Sequence, residues 1–422
     1  MTHVLFVTPY YPPEKGAAQV RISETAQRLV LHGYQVTVLT TVPNYPTGIV
    51  PHAYRGHLVQ EEMRNGVRVV RVWSYISPNK GFFRRILAQL AFAMCAPLLG
   101  WRRIGRPDVI IVESPPLFDA FAGRMLAWLK HCPFIFTVSD IWPESAIQLG
   151  MLRQRSLIRL AEWLEWSTYQ RASRVWAVTK GICHTLIERG LPSEKVFLLT
   201  NGVDTKTFRP LPQAQARLEL GLAEHFMVLY AGTHGIAQGL TTVLEAAQLL
   251  QDRPEIQLVL AGDGAEKADL IVSARQRGLT NVTFLEALPH ARMPLLLSAC
   301  DICLVPLKKV QLFEGALPSK MYEAMACARP IVLGVEGEAR QLLEQEARSA
   351  IAVEPENANA LADAILHLYV HPEELAQLGQ QGRAFVEAHF DREQLVKKLE
   401  VHILAVLNEQ EPVALLRSSD PV

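Results

Sequence analysis

The sequence predicts an α/β protein with two Rossmann-like, doubly wound parallel sheets that follow one another along the chain. Short apolar runs rich in β-branched residues alternate with amphipathic helical stretches, the pattern of parallel strands joined by crossover helices. The length of 422 residues exceeds the usual size of one domain. Turn formers and prolines interrupt the periodicity at 201–212. Together these observations predict two domains of about equal size.

Strands are predicted by short apolar runs bounded by turn residues. In the first half they lie at 3–8, 34–40, 67–73, 108–113, 133–138, 174–178 and 195–200. In the second half they lie at 226–231, 256–261, 282–285, 301–305, 330–333 and 349–353. Helices are predicted at 357–369, 372–389 and 392–407. Because ligands bind beyond the carboxyl ends of parallel strands, we expect a site in a cleft between two facing domains.

Charge and cysteine content narrow the function classes. Basic and acidic residues both number 42, so no net field attracts nucleic acid. The six cysteines are scattered, which is typical of a reducing cytosol. Cys300 and Cys303 have no second pair nearby, so we expect them to pack in a core rather than bind metal. The chain enters a buried strand without a charged leader, and we expect a cytoplasmic protein.

The segment 312–334 combines a helix opening, a lysine, a carboxylate and a following strand. Pro318 supplies a preset φ, and Ser319 can cap the backbone N–H groups of the first turn. These groups and the helix dipole attract an anion, and Lys320 adds a positive charge beside them. Glu323 lies about one turn later, where it can accept hydrogen bonds from a ribose. The segment therefore predicts a nucleotide-diphosphate site at Ser319, Lys320 and Glu323.

Two glycine-containing loops follow predicted strands. At Gly16 the backbone can approach a phosphate, although an ordinary strand-to-helix turn is the alternative. The loop 232–239 has three glycines in eight residues, and we expect Gly232, Thr233 and Gly235 to contact the ligand. His234 either faces that ligand or only occupies the turn. The spacing is not GxGxxG, which disfavours a nicotinamide dehydrogenase.

Two carboxylates and an aromatic residue follow the strand at 133–138. Asp140 and Glu144 can bind sugar hydroxyls, and Trp142 can cover a pyranose face. The alternative is that Asp140 caps a helix. Glu314, just before the second domain's helix opening, is a further candidate carboxylate or a solvated loop residue.

The segment 80–106 has an apolar centre with arginine pairs on both sides. It is too short and too interrupted by Gln89 and Pro97 to span a hydrocarbon layer of ~30 Å. Phe82, Phe83 and Trp101 beside the arginines are typical of a segment that lies among lipid headgroups. We expect this segment to associate with a membrane surface, and a buried crossover helix is the competing interpretation.

These residues bring the sequence to a known family. From the loop at Gly16 through 201–204 to Glu323-Ala-Met-Ala, the chain resembles the family 4 retaining glycosyltransferases of the GT-B fold, the group that builds bacterial O-antigen (lipopolysaccharide), capsule and exopolysaccharide. The runs Asp140-Ile-Trp-Pro-Glu-Ser, Gly232-Thr-His-Gly and Pro318-Ser-Lys are similar to those of the N-acetyl-L-fucosamine transferases.

The resemblance implies a role for each part of the chain. Residues 1–201 would bind the acceptor, and 202–390 would bind the nucleotide sugar. Glu323 would contact the ribose, and the loops at Gly16 and Gly232 would lie near the diphosphate. A helix at 391–410 would return to the first domain, followed by a flexible tail at 411–422.

The sequence departs from the family pattern in its carboxylates and cations. Gly315 stands where a Glu-x7-Glu pair would place the first glutamate, and Glu314 is one place out of register. Asp140 lies near the place of the family's first-domain histidine. Thr233 and Gln238 stand where Arg and Lys are common. Lys320, the backbone near Ser319 and His234 then remain to stabilise a leaving diphosphate, and we expect no metal.

The expected function is transfer of an N-acetylated or 6-deoxy hexose from a UDP-sugar to a polyprenyl-diphosphate-linked glycan, with retention, at the inner face of a bacterial membrane. The candidate catalytic residues are Asp140, Glu144, Glu314 and His234. The chain would be cytoplasmic and peripherally membrane-associated. Two alternatives are a UDP-sugar epimerase of the same fold and a non-catalytic nucleotide-sugar-binding protein.

Overall fold

The computed structural model describes residues 1–14, 16–44, 48–76, 82–148 and 152–409. The chain divides into two compact units. Unit 1 contains Met1–Thr200 and the chain from Glu393 onward, and unit 2 contains Asn201–Arg392. The expected boundaries at 201 and 390 lie close to these limits, and the expected tail at 411–422 lies outside the described residues.

Unit 1 is built on one eight-stranded sheet. Its strands are β1 His3–Val7, β2 Gln35–Thr41, β3 Val59–Arg64, β4 Val67–Val72, β5 Val109–Ser114, β6 Phe134–Val138, β7 Arg174–Ala177 and β8 Val196–Leu198. They lie in the order β3-β4-β2-β1-β5-β6-β7-β8. The central strands β1, β5 and β6 are buried along their whole length, as apolar strands covered on both faces should be.

Strand β3 is absent from the predicted strands. It pairs antiparallel with β4 at the edge of the sheet. Its sequence Val-Gln-Glu-Glu-Met-Arg is mostly polar and no residue of it is fully buried, so a search for apolar runs passes over it. The sheet of unit 1 is therefore parallel except at this edge.

Helices cover both faces of this sheet. They are α1 Ala17–Leu31, α2 Phe82–Gly100, α3 Asp119–Lys130, α4 Glu144–Gln148, α5 Arg155–Arg171 and α6 Lys180–Glu188. Because parallel crossovers are right-handed, α1, which leads from β1 to β2, covers one face of the sheet. Helices α2, α3 and α5 lead toward the opposite edge and therefore cover the other face.

Helices α2 and α3 pack closely on the strands beneath them. A Cβ atom added at Gly100 would lie 2.7 Å from Leu39 Cδ1, and one at Gly123 would lie 2.2 Å from Val112 Cγ2. Phe92 and Ala96 of α2 are buried in the core of unit 1. Within the described ranges, none of the helices is long and apolar enough to cross a bilayer. The centre of the segment 80–106 is thus a crossover helix of the sheet.

Unit 2 contains a six-stranded sheet whose strands are all parallel. Its strands are β9 Phe226–Ala231, β10 Ile256–Ala261, β11 Val282–Leu285, β12 Ile302–Pro306, β13 Ile331–Gly334 and β14 Ala350–Ala352, in the order β11-β10-β9-β12-β13-β14. Its helices are α7 Gln213–Leu220, α8 Leu240–Leu249, α9 Lys267–Gln276, α10 Met293–Ala299, α11 Ser319–Ala326, α12 Glu338–Arg340, α13 Ala358–Val370 and α14 Pro372–His389. The prediction of two Rossmann-like parallel-sheet domains is confirmed.

The last helix, α15 Arg392–Asn408, packs on unit 1. Leu399 and Ile403 on this helix are fully buried in the core of unit 1. His32, which follows α1, lies 2.8 Å from a Glu393 oxygen and 3.0 Å from a Glu400 oxygen. The final helix therefore covers the same face of the sheet as α1.

Candidate functional site

Lys320 joins the start of α11 to the glycine loop that follows β9. Its Nζ lies 3.9 Å from the centroid of the Tyr230 ring. A Cβ atom added at Gly232 would lie 2.9 Å from the same nitrogen, so the missing side chain makes room for the lysine. The sequence predicts Gly232 and Lys320 in one site, and unit 2 places them side by side.

Helix α11 presents its first amides without a side-chain cap. Pro318 occupies the N-cap position with φ −59°, and Ser319 is the first helical residue. The expected cap by the Ser319 hydroxyl is therefore corrected, because a hydroxyl inside the helix is not in the capping position. The helix dipole and these N–H groups remain oriented toward an incoming anion.

Burial lowers the pKa of Lys320 to about 7, while Glu323 and Cys303 act in the opposite direction. The ammonium group lies on an aromatic face, and Glu323 carries the largest opposing negative charge. An incoming diphosphate would supply the missing negative charge and favour the protonated lysine. The site is thus electrostatically ready for an anion.

Glu323 lies further along α11 and is near a histidine that the sequence reasoning passes over. The Nε2 atom of His290 lies 3.5 Å from Glu323 Oε1. The His290 ring also packs against Phe208, with 5.2 Å between centroids. His290 therefore contacts, on one side, the carboxylate that is predicted to bind a ribose. In the sequence, His290 only follows a proline in a loop, and this local pattern does not indicate the contact.

A second glycine loop, after β10, supports the first one. Cβ atoms at Gly262 and Gly264 would lie 1.8 Å from the Gly232 carbonyl oxygen and 2.3 Å from the His234 carbonyl oxygen. Both glycines have positive φ, 145° and 158°, which other residues rarely adopt. The Lys267 ammonium donates to the Gly262 carbonyl at 2.9 Å and so fixes this loop. The pair Gly262-x-Gly264 is a readable signal that the sequence reasoning missed.

The side chain of His234 is enclosed within unit 2. Its side chain is fully buried, with the Tyr230 and Phe284 rings at 5.7 and 6.4 Å. Burial, followed by the charges of Lys267 and Lys320, lowers its pKa. The expected catalytic or phosphate-binding role of His234 is corrected, because the loop at 262–264 packs over its side chain.

The rest of the first glycine loop is held by its own hydrogen bonds. The Tyr230 hydroxyl donates to the Thr233 carbonyl at 2.6 Å. The Gly235 amide donates to the Gln238 side-chain oxygen at 3.2 Å. Gln238, which stands where the family commonly has a cation, therefore stabilises the loop. The Thr233 side chain is exposed.

At the carboxyl edge of the unit 1 sheet, a buried network ties three elements together. Arg21 on α1 forms an ion pair with Glu113 at the end of β5. Its guanidinium also donates to Ser139 Oγ at 2.8 Å, and that hydroxyl donates to Glu113 at 2.8 Å. Ser139 directly precedes Asp140, so the network fixes the position of the candidate acceptor-site loop.

Asp140 and Glu144 differ in their surroundings. Burial raises the pKa of Asp140, while hydrogen bonds from Ser145 and the Ile141 backbone oppose this. Glu144 is the first residue of α4, is half-buried, and pairs with Arg189. Asp140 partly fulfils the alternative role of a helix cap, since it accepts a hydrogen bond from Ser145 in the first turn of α4. Gly16 directly precedes α1 at the same edge.

Two protein-family models match the chain. One, described as glycosyl transferases group 1, matches residues 215–385, and the other, a glycosyl transferase 4-like domain, matches residues 16–202. Between them they cover most of both units. The chain is a glycosyltransferase.

Known glycosyltransferases are similar to this chain over nearly its whole length. It is 29% identical over 399 residues to WcaI of Escherichia coli K12, assigned as a colanic acid biosynthesis glycosyl transferase, with 92% of this chain and 96% of WcaI covered. Sucrose-phosphate synthase from Thermosynechococcus elongatus matches with a TM-score of 0.77 and 21% identity, over 97% of this chain and 100% of the synthase. Anabaena HepE, solved with UDP and glucose, matches with a TM-score of 0.70 and 18% identity, over 95% of this chain and 98% of HepE. The architecture is that of GT-B transferases.

Glu314 of the transferase lies in a loop whose backbone is fixed. Its side chain is exposed, and its carbonyl accepts a hydrogen bond from the Glu338 amide at 2.7 Å. A Cβ atom at Gly337 would lie 2.0 Å from that carbonyl oxygen. The carboxylate is thus on a well-held backbone with its side chain in solvent.

The transferase buries its CxxC pair. Cys300 and Cys303 lie in the core of unit 2 with 3.5 Å between their sulfur atoms. Across the described ranges, no group of three or more His, Cys, Asp or Glu side chains could hold a metal ion. These cysteines act as core side chains, as the sequence predicts.

Proposed function

We propose that the transferase moves a sugar from a UDP-sugar to a polyprenyl-diphosphate-linked glycan during bacterial surface polysaccharide synthesis. The relative WcaI is assigned to colanic acid biosynthesis, and the similar structure of HepE contains UDP and glucose. The runs at 140–145, 232–235 and 318–320 favour an N-acetylated or 6-deoxy hexose, as in the N-acetyl-L-fucosamine transferases.

The observation that carries this proposal is the position of Lys320 Nζ between the Gly232 loop and the start of α11. A pyrophosphate seated there would meet the α11 amides and the lysine together. Glu323 would accept hydrogen bonds from the ribose hydroxyls one turn further along the helix. As the glycosidic bond of the donor breaks, Lys320 would stabilise the charge that develops on the departing UDP.

The lysine and the backbone amides can provide this stabilisation without a metal ion, and we propose a metal-independent reaction. Addition of a chelator such as EDTA is expected to leave the initial rate unchanged. A rate that falls with EDTA and returns with Mg²⁺ or Mn²⁺ would contradict this part of the proposal.

The acceptor hydroxyl is proposed to bind at the carboxyl edge of the unit 1 sheet, near Gly16, Asp140 and Glu144. Burial raises the pKa of Asp140, so its carboxyl group is suited to hydrogen bonding with a sugar hydroxyl. Retention of anomeric configuration would follow if the leaving phosphate, rather than a strong protein base, assists the attacking hydroxyl.

The transferase is proposed to work at the inner face of the cell membrane, as a cytoplasmic and peripherally associated protein. A lipid-linked acceptor is confined to that surface, so attachment there would raise the rate of encounter with it. The segment 80–106 is the part of the chain proposed to attach, and its described residues include α2.

The decisive experiment incubates the purified protein with UDP- and GDP-sugars, with and without a polyprenyl-diphosphate-linked acceptor. Release of UDP that requires the acceptor, together with a glycosylated lipid product, supports the proposal. Isomerised donor without acceptor would identify an epimerase instead. Binding of UDP-sugars without turnover under any acceptor condition would identify a binding protein.

A further inference from the structure

Helices α2, α3 and α5 of unit 1 expose more apolar surface than their role as sheet-covering helices explains. On α2 the exposed apolar residues recur at helical spacing on the side away from the buried Phe92 and Ala96: Leu87, Leu90, Met94 and Leu98. Leu98 is 58% exposed. An amphipathic crossover helix normally exposes charged residues, so an apolar stripe on the outer side of α2 is unfavourable in contact with water.

The same chemistry continues on α3 and α5. Trp128 of α3 is 71% exposed and Trp163 of α5 is 61% exposed. Phe121 on α3 and Leu157 and Leu160 on α5 are exposed as well. Indole rings in contact with lipid keep their N–H group near the headgroups, which suits them to a membrane interface better than to bulk water.

The three helices lie side by side, so these residues form one surface. Arg124 on α3 donates to Ser167 on α5 at 2.9 Å. At the other side, the Lys130 ammonium at the end of α3 lies 5.7 Å from the ring centroid of Trp101, just after α2. We call the outward side of α2, α3 and α5 the three-helix surface.

The exposed charges around this surface are mostly positive. In the described parts of 82–108 and 152–163, two carboxylates, Asp108 and Glu162, are exposed. The exposed arginines there are Arg84, Arg102, Arg103, Arg106, Arg153, Arg155 and Arg159, and of these Arg103 lies 3.7 Å from the exposed carboxylate of Glu61 on β3. Since the whole chain has a formal net charge of zero, this excess is local. Apolar residues bordered by arginines complement a bilayer that contains anionic lipid.

We propose that the three-helix surface binds an anionic phospholipid bilayer, with Leu98, Trp128, Leu160 and Trp163 inserted among the headgroups. A second copy of this chain is a poorer occupant, because a two-fold interface would place the same arginines against one another. The proposal also moves the anchor away from Trp101, which is half-buried and packs against the core of unit 1.

The orientation of the surface fits a lipid-linked acceptor. In a parallel sheet the crossover helices begin at the edge where the strands end, so the first turns of α2, α3 and α5 lie at the edge that carries Asp140. A bilayer on this surface would therefore border the proposed acceptor site. The role of this surface in reaching a lipid-linked acceptor rests on the proposed function. Lipid binding by the surface does not depend on that function.

The test is flotation of the full-length protein with liposomes of phosphatidylcholine, with and without phosphatidylglycerol. Two double variants remove apolar side chains, Leu160→Ser with Trp163→Ser on α5, and Met94→Ser with Leu98→Ser on α2. The matched control is Leu31→Ser with Leu404→Ser, since these leucines are exposed on α1 and α15. Circular dichroism verifies that each variant is folded, and UDP binding is measured separately from lipid binding.

We expect the wild type to float with the anionic liposomes, and each test variant to bind them at least tenfold more weakly. The control variant should float like the wild type. Undiminished flotation of the α5 variant, or equal loss in the control, would overturn the proposal. The proposal would also be overturned if none of the proteins floated and the wild type formed a dimer that both test variants abolished. Flotation without any sugar transfer would contradict the proposed function, and the proposal that the three-helix surface binds lipid would remain valid.

Discussion

The ammonium nitrogen of Lys320 lies 3.9 Å from the centroid of the Tyr230 ring, and the hydroxyl of that tyrosine donates to the Thr233 carbonyl at 2.6 Å. One buried tyrosine thus contacts both parts of the proposed diphosphate site, the lysine of α11 and the glycine loop after β9. The ring positions the cation through its electron-rich face, and the hydroxyl fixes the loop. Tyr230 is therefore a positioning residue rather than a ligand.

Replacing Tyr230 should separate these two contacts. Tyr230→Leu removes the ring and the hydroxyl, and we expect UDP to bind about tenfold more weakly, since a desolvated cation–π contact contributes about 1–2 kcal/mol. Tyr230→Phe keeps the ring and should cost about threefold or less. Isothermal titration calorimetry measures both affinities, and circular dichroism verifies the fold. Equal affinities for the two variants would show that the ring does not position Lys320.

Lys320 should make donor binding depend on pH. Its pKa of about 7 in the protein alone must rise when the diphosphate binds, so binding takes up a proton above that pH. We expect the affinity for UDP-glucose, whose diphosphate keeps a constant charge, to be highest near pH 6 and to fall by up to about tenfold per pH unit above 7. Calorimetry in buffers of different ionisation enthalpy counts the protons.

The matched variant for this prediction is Lys320→Ala. Loss of a charge-assisted contact of about 1.5–3 kcal/mol should weaken binding by roughly 10–100-fold at pH 6. The pH dependence between 6 and 8.5 should disappear with it. A variant that keeps the wild-type pH dependence would show that another group takes up the proton.

Breaking the Arg21–Glu113 pair should destabilise unit 1. Glu113→Gln leaves a buried guanidinium without its counter-charge, and we expect a loss of about 3 kcal/mol in the free energy of unfolding. The control is Glu344→Gln, whose partner Arg340 lies on an exposed helical turn, and the loss there should be below about 1 kcal/mol. Differential scanning calorimetry compares the two. Equal small losses would mean that the network is not a stabilising element.

The contact of His32 with α15 should respond to pH. Burial disfavours the charged ring, but the hydrogen bonds with Glu393 and Glu400 outweigh this and raise the pKa of His32. The pair therefore stabilises the fold fully below the unfolded pKa of about 6.5 and loses this contribution as pH rises through the higher native value. We expect His32→Gln to lower the melting temperature at pH 6 and to have little effect at pH 8.5. A larger effect at pH 8.5 would contradict the assigned sign.

The architecture was readable from the sequence because buried parallel strands are continuous apolar runs. Strands β1, β5 and β6 show this most clearly, since every residue of them is buried. The edge strand β3 was not readable, because its polar residues satisfy only a weak β pattern and its pairing with β4 depends on the rest of the sheet.

The candidate site was only partly readable. Gly232 and Lys320 were expected in one site because the resemblance to the family 4 glycosyltransferases implies that the Gly232 loop lies near the diphosphate. The burial of His234 was not, since it depends on the contact with Gly264, 30 positions later in the numbering, which only the fold creates. Tyr230 looked like an ordinary strand residue for the same reason.

The most direct test of the account is a crystal structure of the protein with UDP bound. We expect the pyrophosphate at the amides that begin at Ser319, in contact with Lys320 Nζ, and the ribose hydroxyls on the Glu323 carboxylate. UDP bound elsewhere on the chain, with Lys320 still on Tyr230 and no phosphate near α11, would contradict it.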